Sequence, residues 1–228
     1  MLTAIIVAAG SSKRAGLDKL VANVAGRPVI EHTLAAFENA TCVNEVLVVC
    51  RETVAMQHFI AKTKLRKIGK VVRGGTRRQD SVQAGLNALD GEVDFVAVHD
   101  AARPLITSRE IERVFAAARK YGAAALAAPI TDTLKVADAN RAVSGSIDRE
   151  NVFAMQTPQI FRRDLLNEAY EQVKRDCLMV TDEVSAIERA GGKIVLVPAE
   201  DQNFKITYAS DLPLAEAILK QRAAAVRP

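Results

Sequence analysis

Three short segments combine small residues, cations and hydroxyls at spacings suited to an anionic ligand. The first is Ala8-Ala9-Gly10-Ser11-Ser12-Lys13-Arg14-Ala15-Gly16, with Lys19 close behind. Small residues let backbone N–H groups approach a phosphate, and cations neutralise it. A plain surface turn has a similar composition, but the added Lys19 shifts the balance toward a polyphosphate site. The spacing is neither G-x-G-x-x-G nor G-x-x-x-x-G-K-[ST], which argues against a dinucleotide fingerprint and a P-loop. The second segment, Arg73-Gly74-Gly75-Thr76-Arg77-Arg78-Gln79-Asp80-Ser81-Val82, has a glycine pair that can admit a flat base and a hydroxyl at Ser81. It also fits a turn capped by Asp80 or Ser81. The third is Val98-His99-Asp100-Ala101-Ala102-Arg103-Pro104. Here Asp100 can hold hydroxyls or help place a metal and Arg103 can take a phosphate, or the two can simply pair with each other.

Further polar groups fall at Thr131-Asp132-Thr133-Leu134-Lys135, Asp148-Arg149, Gln156-Thr157-Pro158-Gln159, Thr181-Asp182-Glu183 and Asn203-Phe204-Lys205-Ile206-Thr207. Lys205 sits between Phe204 and Ile206, where an unpaired ammonium is costly, so it is expected to face an anion or a carboxylate. The three cysteines (Cys42, Cys50, Cys177) lack metal-ligand spacing, and the three histidines are scattered, so a zinc site is not indicated. A net charge of +4 without long basic runs gives no nucleic-acid footprint.

These segments lie at the ends of short apolar runs that must position them. Ala4–Ala8, Glu45–Cys50, Lys70–Val72, Phe95–His99 and Ala123–Ala128 have strand length, and most lack in/out alternation, as strands buried on both faces do. Amphipathic stretches at Pro28–Glu38, Thr53–Lys62, Ser81–Leu89 and Ile111–Tyr121 lie between them. Pro28 fits a first helical position, and Thr107 with Glu110 fits a capping box. The alternation implies βαβ units and a largely parallel sheet flanked by helices. It breaks at 131–156, where two weak alternating runs around Asp138-Ala139-Asn140 suggest a projecting hairpin. Helices near Asp164–Val173 and Asp182–Ala190, a strand at Lys193–Pro198 and a helix after Asp211 follow. One domain spanning 1–228 with an arm at about 131–156 is expected. No apolar run reaches the roughly 18 to 20 residues that span a bilayer, and the N-terminus lacks a basic segment, so a cytoplasmic location is expected.

Taken together, Ala8-Ala9-Gly10 with Arg14 and Lys19, Gly-Gly-x-x-Arg-x-x-Ser-Val and His-Asp-Ala-Ala-Arg-Pro resemble the signature of 2-C-methyl-D-erythritol 4-phosphate cytidylyltransferases. Thr-Asp-Thr-x-Lys, Asp-Arg, Thr-Pro-Gln, Thr-Asp-Glu and x-Lys-x-Thr follow in that family's order, so the resemblance covers nearly the whole chain. It implies a Rossmann-like nucleotidyltransferase fold and transfer of CMP from CTP to a polyol phosphate in non-mevalonate isoprenoid synthesis. Arg14, Lys19, Arg149 and Lys205 take the family's catalytic places. Ala8, Ala9, Gly10, Gly75, Thr76 and Ser81 take the CTP-binding places, and Asp100, Arg103, Thr133, Thr157 and Thr181 the acceptor-binding places. Thr76 stands where some members carry an acidic residue, and the loop before Lys19 lacks a common proline. Mg²⁺ held mainly by the CTP phosphates is expected, as in other nucleotide chemistry, as are a homodimer through the arm, whose two runs bury too little alone, and no nucleic-acid or membrane partner. The resemblance adds that Thr133 and Arg149 reach the acceptor pocket of the neighbouring subunit. Some relatives are fused to a zinc-dependent cyclase; the chain ends soon after its last helix and is expected to be monofunctional. The rival readings are an enzyme for another polyol phosphate, such as ribitol 5-phosphate, and a non-catalytic nucleotide-binding domain.

The implied chemistry suits the inventory. A phosphate dianion is already a nucleophile, so the reaction needs charge neutralisation and alignment of two anions, not a Ser, Cys or His nucleophile.

Overall fold

The computed structural model describes residues 1–10 and 19–225; Arg14 therefore lies outside the described residues. In chain order the elements are β1 (Leu2–Val7), β2 (Asn23–Val24), β3 (Arg27–Pro28), α1 (Val29–Asn39), β4 (Glu45–Cys50), α2 (Thr53–Ile60), β5 (Ile68–Arg73), α3 (Arg78–Asn87) and β6 (Phe95–Asp100). Then come α4 (Ser108–Tyr121), β7 (Ala123–Pro129), β8 (Leu134–Ala137), β9 (Val143–Ile147), β10 (Phe153–Arg162), α5 (Arg163–Arg175), α6 (Glu183–Arg189), β11 (Val195–Pro198) and α7 (Asp211–Ala225).

Within the described residues, seven strands form one sheet in the order β11-β7-β10-β6-β1-β4-β5. β1 pairs in parallel with both β4 and β6, whereas β10 runs antiparallel between β6 and β7. The missing in/out alternation has a direct cause. Leu2, Ala4 and Ile6 of β1 pack with Val29, Leu34 and Phe37 of α1 and Ile111 of α4, while Ile5 packs on the other face with Val82 and Leu86 of α3 and Leu166 of α5. Burying one such side chain contributes about 1.5–3 kcal/mol, so both faces hold the strand. The chain leaves β1 for β4 on one side and returns through β6 on the other. That order reversal puts a crevice at the carboxyl ends of β1 and β6, the usual ligand site of an open α/β sheet.

Three details correct the sequence reading. Pro28 does not occupy the first helical position; it caps α1 with φ −57° and pairs with Asn23 in β3. α3 begins at Arg78 rather than Ser81, because Asp80 accepts from the Arg77 backbone N–H at 3.1 Å and fixes the turn earlier. β10 was not anticipated, and it claims residues 153–156 from the expected arm for the main sheet. The hairpin itself is present: β8 and β9 pair antiparallel, Leu134 opposite Ile147. Val136, Val143 and Ile147 are 45%, 68% and 47% exposed on it. At α4, the Thr107 hydroxyl accepts from the Glu110 N–H at 3.2 Å, and Gly122 ends the helix at φ +86°.

Candidate active site

Three loops meet at the crevice. The Ala8 N–H donates to the Val49 carbonyl at 2.7 Å, and Arg51 Nε donates to the Ala9 carbonyl at 2.8 Å, which ties the first loop across the ends of β1 and β4. The Gly74 N–H donates to the Cys50 carbonyl at 2.8 Å and brings the second loop alongside. Gly74 is there for close packing: a Cβ on it falls 2.5 Å from the Ala9 Cβ and 2.8 Å from Ser81 Oγ. Ser81 Oγ accepts from the Gly75 N–H at 3.2 Å and donates to the Arg77 carbonyl at 3.1 Å, so this hydroxyl shapes the loop from beneath.

Between these loops lies a cleft of about 320 Å³ whose lining includes Ala8, Ala9, Gly10, Lys19, Gly75, Thr76 and Ser81, together with Arg51, Arg77 and Thr207. Lys19 Nζ donates to the Ile206 carbonyl at 2.7 Å, which joins the first loop to the segment carrying Lys205. A second cavity of about 410 Å³ is lined by Arg103, Met155, Gln156, Thr157, Thr181 and Asp182 among others. The two cavities share three residues as a common wall: Arg78, Asp100 and Lys205.

That wall is an ion cluster. Asp100 Oδ1 accepts from Arg78 Nε at 3.0 Å and Oδ2 from Lys205 Nζ at 2.8 Å, with Arg103 Nε 3.7 Å from Oδ2. Lys205 thus faces a carboxylate, as its apolar flanks required. Burial pushes the Asp100 carboxyl upward, but the charges of Arg78 and Lys205 outweigh it and hold the group well below the usual carboxylate range. Burial opposes the charge of Arg78 too, and Glu183 and Asp100 overcome it and raise its pKa. Burial lowers the Arg103 pKa, while Arg103 Nη1 donates to the Asn203 carbonyl at 2.9 Å.

Thr157 reaches this cluster because β10 shifts register between Met155 and Gln159, a bulge that re-aims a side chain. Its Oγ1 accepts from the Asp100 N–H at 3.1 Å and lies 3.0 Å from His99 Nδ1. Since the Arg103 carbonyl, 3.3 Å from His99 Nε2, can only accept, Nε2 carries the proton and Nδ1 accepts from the Thr157 hydroxyl.

The structure gathers Lys19, Lys205, Asp100, Arg103, Thr157 and Thr181 around the two cavities. Thr133 and Arg149 sit on or beside the arm and line neither; the Arg149 guanidinium donates to the Thr131 carbonyl. Sequence reasoning gave Arg78, Arg51, Gln159 and Glu183 no role. Arg78 was visible as the arginine of Gly-Gly-x-x-Arg-x-x-Ser-Val, yet nothing local shows that it bridges two carboxylates.

A metal ion is implied by the chemistry. Among the described residues the first cleft offers one carboxylate, Asp100, already shared by three cations. This donor set does not fit a metal ion anchored by the protein.

The comparisons decide the family. The family model for 2-C-methyl-D-erythritol 4-phosphate cytidylyltransferase matches residues 2–221. The chain belongs to this family. The chain is similar to 2-C-methyl-D-erythritol 4-phosphate cytidylyltransferase from Caldanaerobacter subterraneus subsp. tengcongensis, 37% identical over 225 residues that cover 96% of this chain and 99% of that one. It is also similar to the crystal structure of 4-diphosphocytidyl-2C-methyl-D-erythritol synthase from Anaerococcus prevotii. That match has a TM-score of 0.85 at 32% identity, covering 96% of each chain. The cytidylyltransferase from Thermus thermophilus matches with a TM-score of 0.78 at 33% identity, over 95% of this chain and 98% of that one. Both matches show that the chain shares the fold of those structures. Among the described residues of this chain, no helix is long and apolar enough to cross a membrane.

Proposed function

We propose that the protein transfers CMP from CTP to 2-C-methyl-D-erythritol 4-phosphate, releasing pyrophosphate and forming 4-diphosphocytidyl-2-C-methyl-D-erythritol for non-mevalonate isoprenoid synthesis. The observation that carries the site reading is the pair of cavities meeting at Arg78, Asp100 and Lys205. Two anionic substrates placed in them would meet at that cationic wall. CTP lies in the cleft under the first two loops, its base against the backbone of Ala8, Ala9 and Gly75 with Ser81 holding the loop. The acceptor lies against Asp100, Arg103, Thr157 and Thr181.

An acceptor phosphate oxygen attacks the α-phosphorus in line, the bond to the β-phosphate oxygen breaks, and pyrophosphate leaves. Lys19 and Arg14 neutralise charge at the α-phosphate, while Lys205 and Arg149 hold the attacking phosphate. Preorganised donors of this kind typically contribute about 2.7–4 kcal/mol each in the transition state. Mg²⁺ would be held by the nucleotide's own phosphates rather than by protein groups and would supply charge neutralisation there.

The reading includes a cytoplasmic homodimer. An isolated two-stranded ribbon buries too little to be stable, and Val136, Val143 and Ile147 are exposed on the arm, so a second arm is the natural cover. In that dimer Thr133 and Arg149 serve the neighbouring subunit's acceptor cavity.

Pyrophosphate release measured with CTP, UTP, ATP and GTP against methylerythritol phosphate and ribitol 5-phosphate tests the function. The highest kcat/KM is expected for CTP with methylerythritol phosphate, because buried polar groups shaped for one base penalise another. Equal turnover across nucleotides, or preference for ribitol 5-phosphate, would overturn it.

A further inference from the structure

Glu183 is 0% exposed and lines neither cavity, yet both its carboxylate oxygens hold Arg78. Arg78 Nη1 donates to Oε1 at 2.7 Å and Nη2 to Oε2 at 3.0 Å. The Tyr170 hydroxyl donates to Oε1 at 3.0 Å, and the Glu183 backbone N–H donates to Gln159 Oε1 at 3.1 Å, so both the side chain and the backbone of Glu183 are held. Glu183, Arg78, Asp100 and Lys205 therefore form a line of alternating charge from the core to the cavity wall.

The geometry matters at Asp100. A guanidinium free to turn meets a carboxylate as a fork, one N–H to each oxygen. Here Glu183 occupies both Nη atoms and leaves Nε alone for Asp100 Oδ1 at 3.0 Å. Oδ2 stays open to Lys205 at 2.8 Å. Without Glu183, Arg78 can take both oxygens and displace the ammonium.

We propose that Glu183 is a positioning residue that fixes how Asp100 is shared between Arg78 and Lys205, and so places Lys205 for the transfer step. This rests on the reading of Lys205 as a group that meets the attacking phosphate.

Glu183→Gln keeps the shape and removes the charge. It is expected to lower kcat at least tenfold while KM for both substrates stays level or falls, because the cluster gains one net positive charge. In an Arg78→Met background the same substitution is expected to cause no further loss of kcat. It should also raise the melting temperature by removing an orphaned buried carboxylate. An unchanged kcat, a raised KM at constant kcat, or multiplying losses in the double variant would overturn the proposal. If Glu183→Gln fails to fold, Glu183→Asp carries the test, since its shorter reach moves Arg78 without removing the charge; lowered kcat at level KM supports the proposal and wild-type kcat overturns it. Lys205→Ala, run beside these, separates the two readings. If it is fully active the site assignment fails, and if it is nearly inactive beside a fully active Glu183→Gln only the positioning role fails.

Discussion

Lys205 Nζ donates to Asp100 Oδ2 at 2.8 Å although 105 residues separate them. The ammonium rests on a carboxylate that also holds Arg78 and Arg103, so Asp100 stays paired when Lys205 is removed. Lys205→Ala is therefore expected to lower kcat/KM by about a hundredfold to a thousandfold, the typical loss for one transition-state donor. Its thermal midpoint should stay near that of the wild type. A folded, fully active variant would show that Lys205 does not meet the reacting phosphates.

Gly74→Ala places a methyl 2.5 Å from the Ala9 Cβ and 2.8 Å from Ser81 Oγ, so the second loop must lift off the first. Overpacking of this kind costs about 1–3 kcal/mol. Both loops line the cleft proposed for CTP, so KM for CTP should rise with the loss of stability. Gly10→Ala is the control for stability, because among the described residues its added methyl meets nothing within 4 Å. Equal denaturation midpoints for the two variants would contradict the close-packing role.

Burial pushes the His99 pKa from 6.5 down to about 3. An unfolded chain protonates this ring below about pH 6.5, whereas the folded chain resists until about pH 3. Its contribution is thus fully present above pH 6.5 and is lost as pH falls, at about 1.4 kcal/mol per pH unit for one proton. Urea melts of wild type and His99→Gln between pH 6 and pH 4 should show a shallower decline in the variant by about that slope. Parallel declines would mean that His99 does not resist protonation in the fold.

The strands that frame the crevice were legible because helices cover both faces: Ile5 and Ile6 pack on opposite sides, so β1 reads as an unbroken apolar run. Lys205 was legible for a similar reason, since an ammonium between Phe204 and Ile206 must find an anion. β10 was hidden because Gln156-Thr157-Pro158-Gln159 interrupts its apolar pattern where the strand bulges. Arg78 and Glu183 were hidden as partners because their bond joins positions 105 residues apart, and no local spacing records it. The start of α3 was misplaced because Arg77 and Asp80 form the turn, a pairing the helical periodicity does not carry.

The arm yields a mixing experiment. Arg149→Ala and Arg14→Ala chains should each be nearly inactive. In a heterodimer with shared sites, one site combines an intact Arg14 from one chain with an intact Arg149 from the other, so activity should recover toward one working site per dimer. Confirmed subunit exchange without recovered activity would show that Arg149 serves its own chain.

The central claim is that an acceptor phosphate attacks the α-phosphorus of CTP at the Arg78, Asp100 and Lys205 wall. Product analysis with CTP labelled at either the α- or the γ-phosphorus tests it most directly. The α label should appear in the diphosphocytidyl polyol only when methylerythritol phosphate is present, the γ label should appear wholly in pyrophosphate, and Lys205→Ala should slow both together. Transfer of the γ label to the polyol, or release of the α label as free CMP without acceptor, would contradict it.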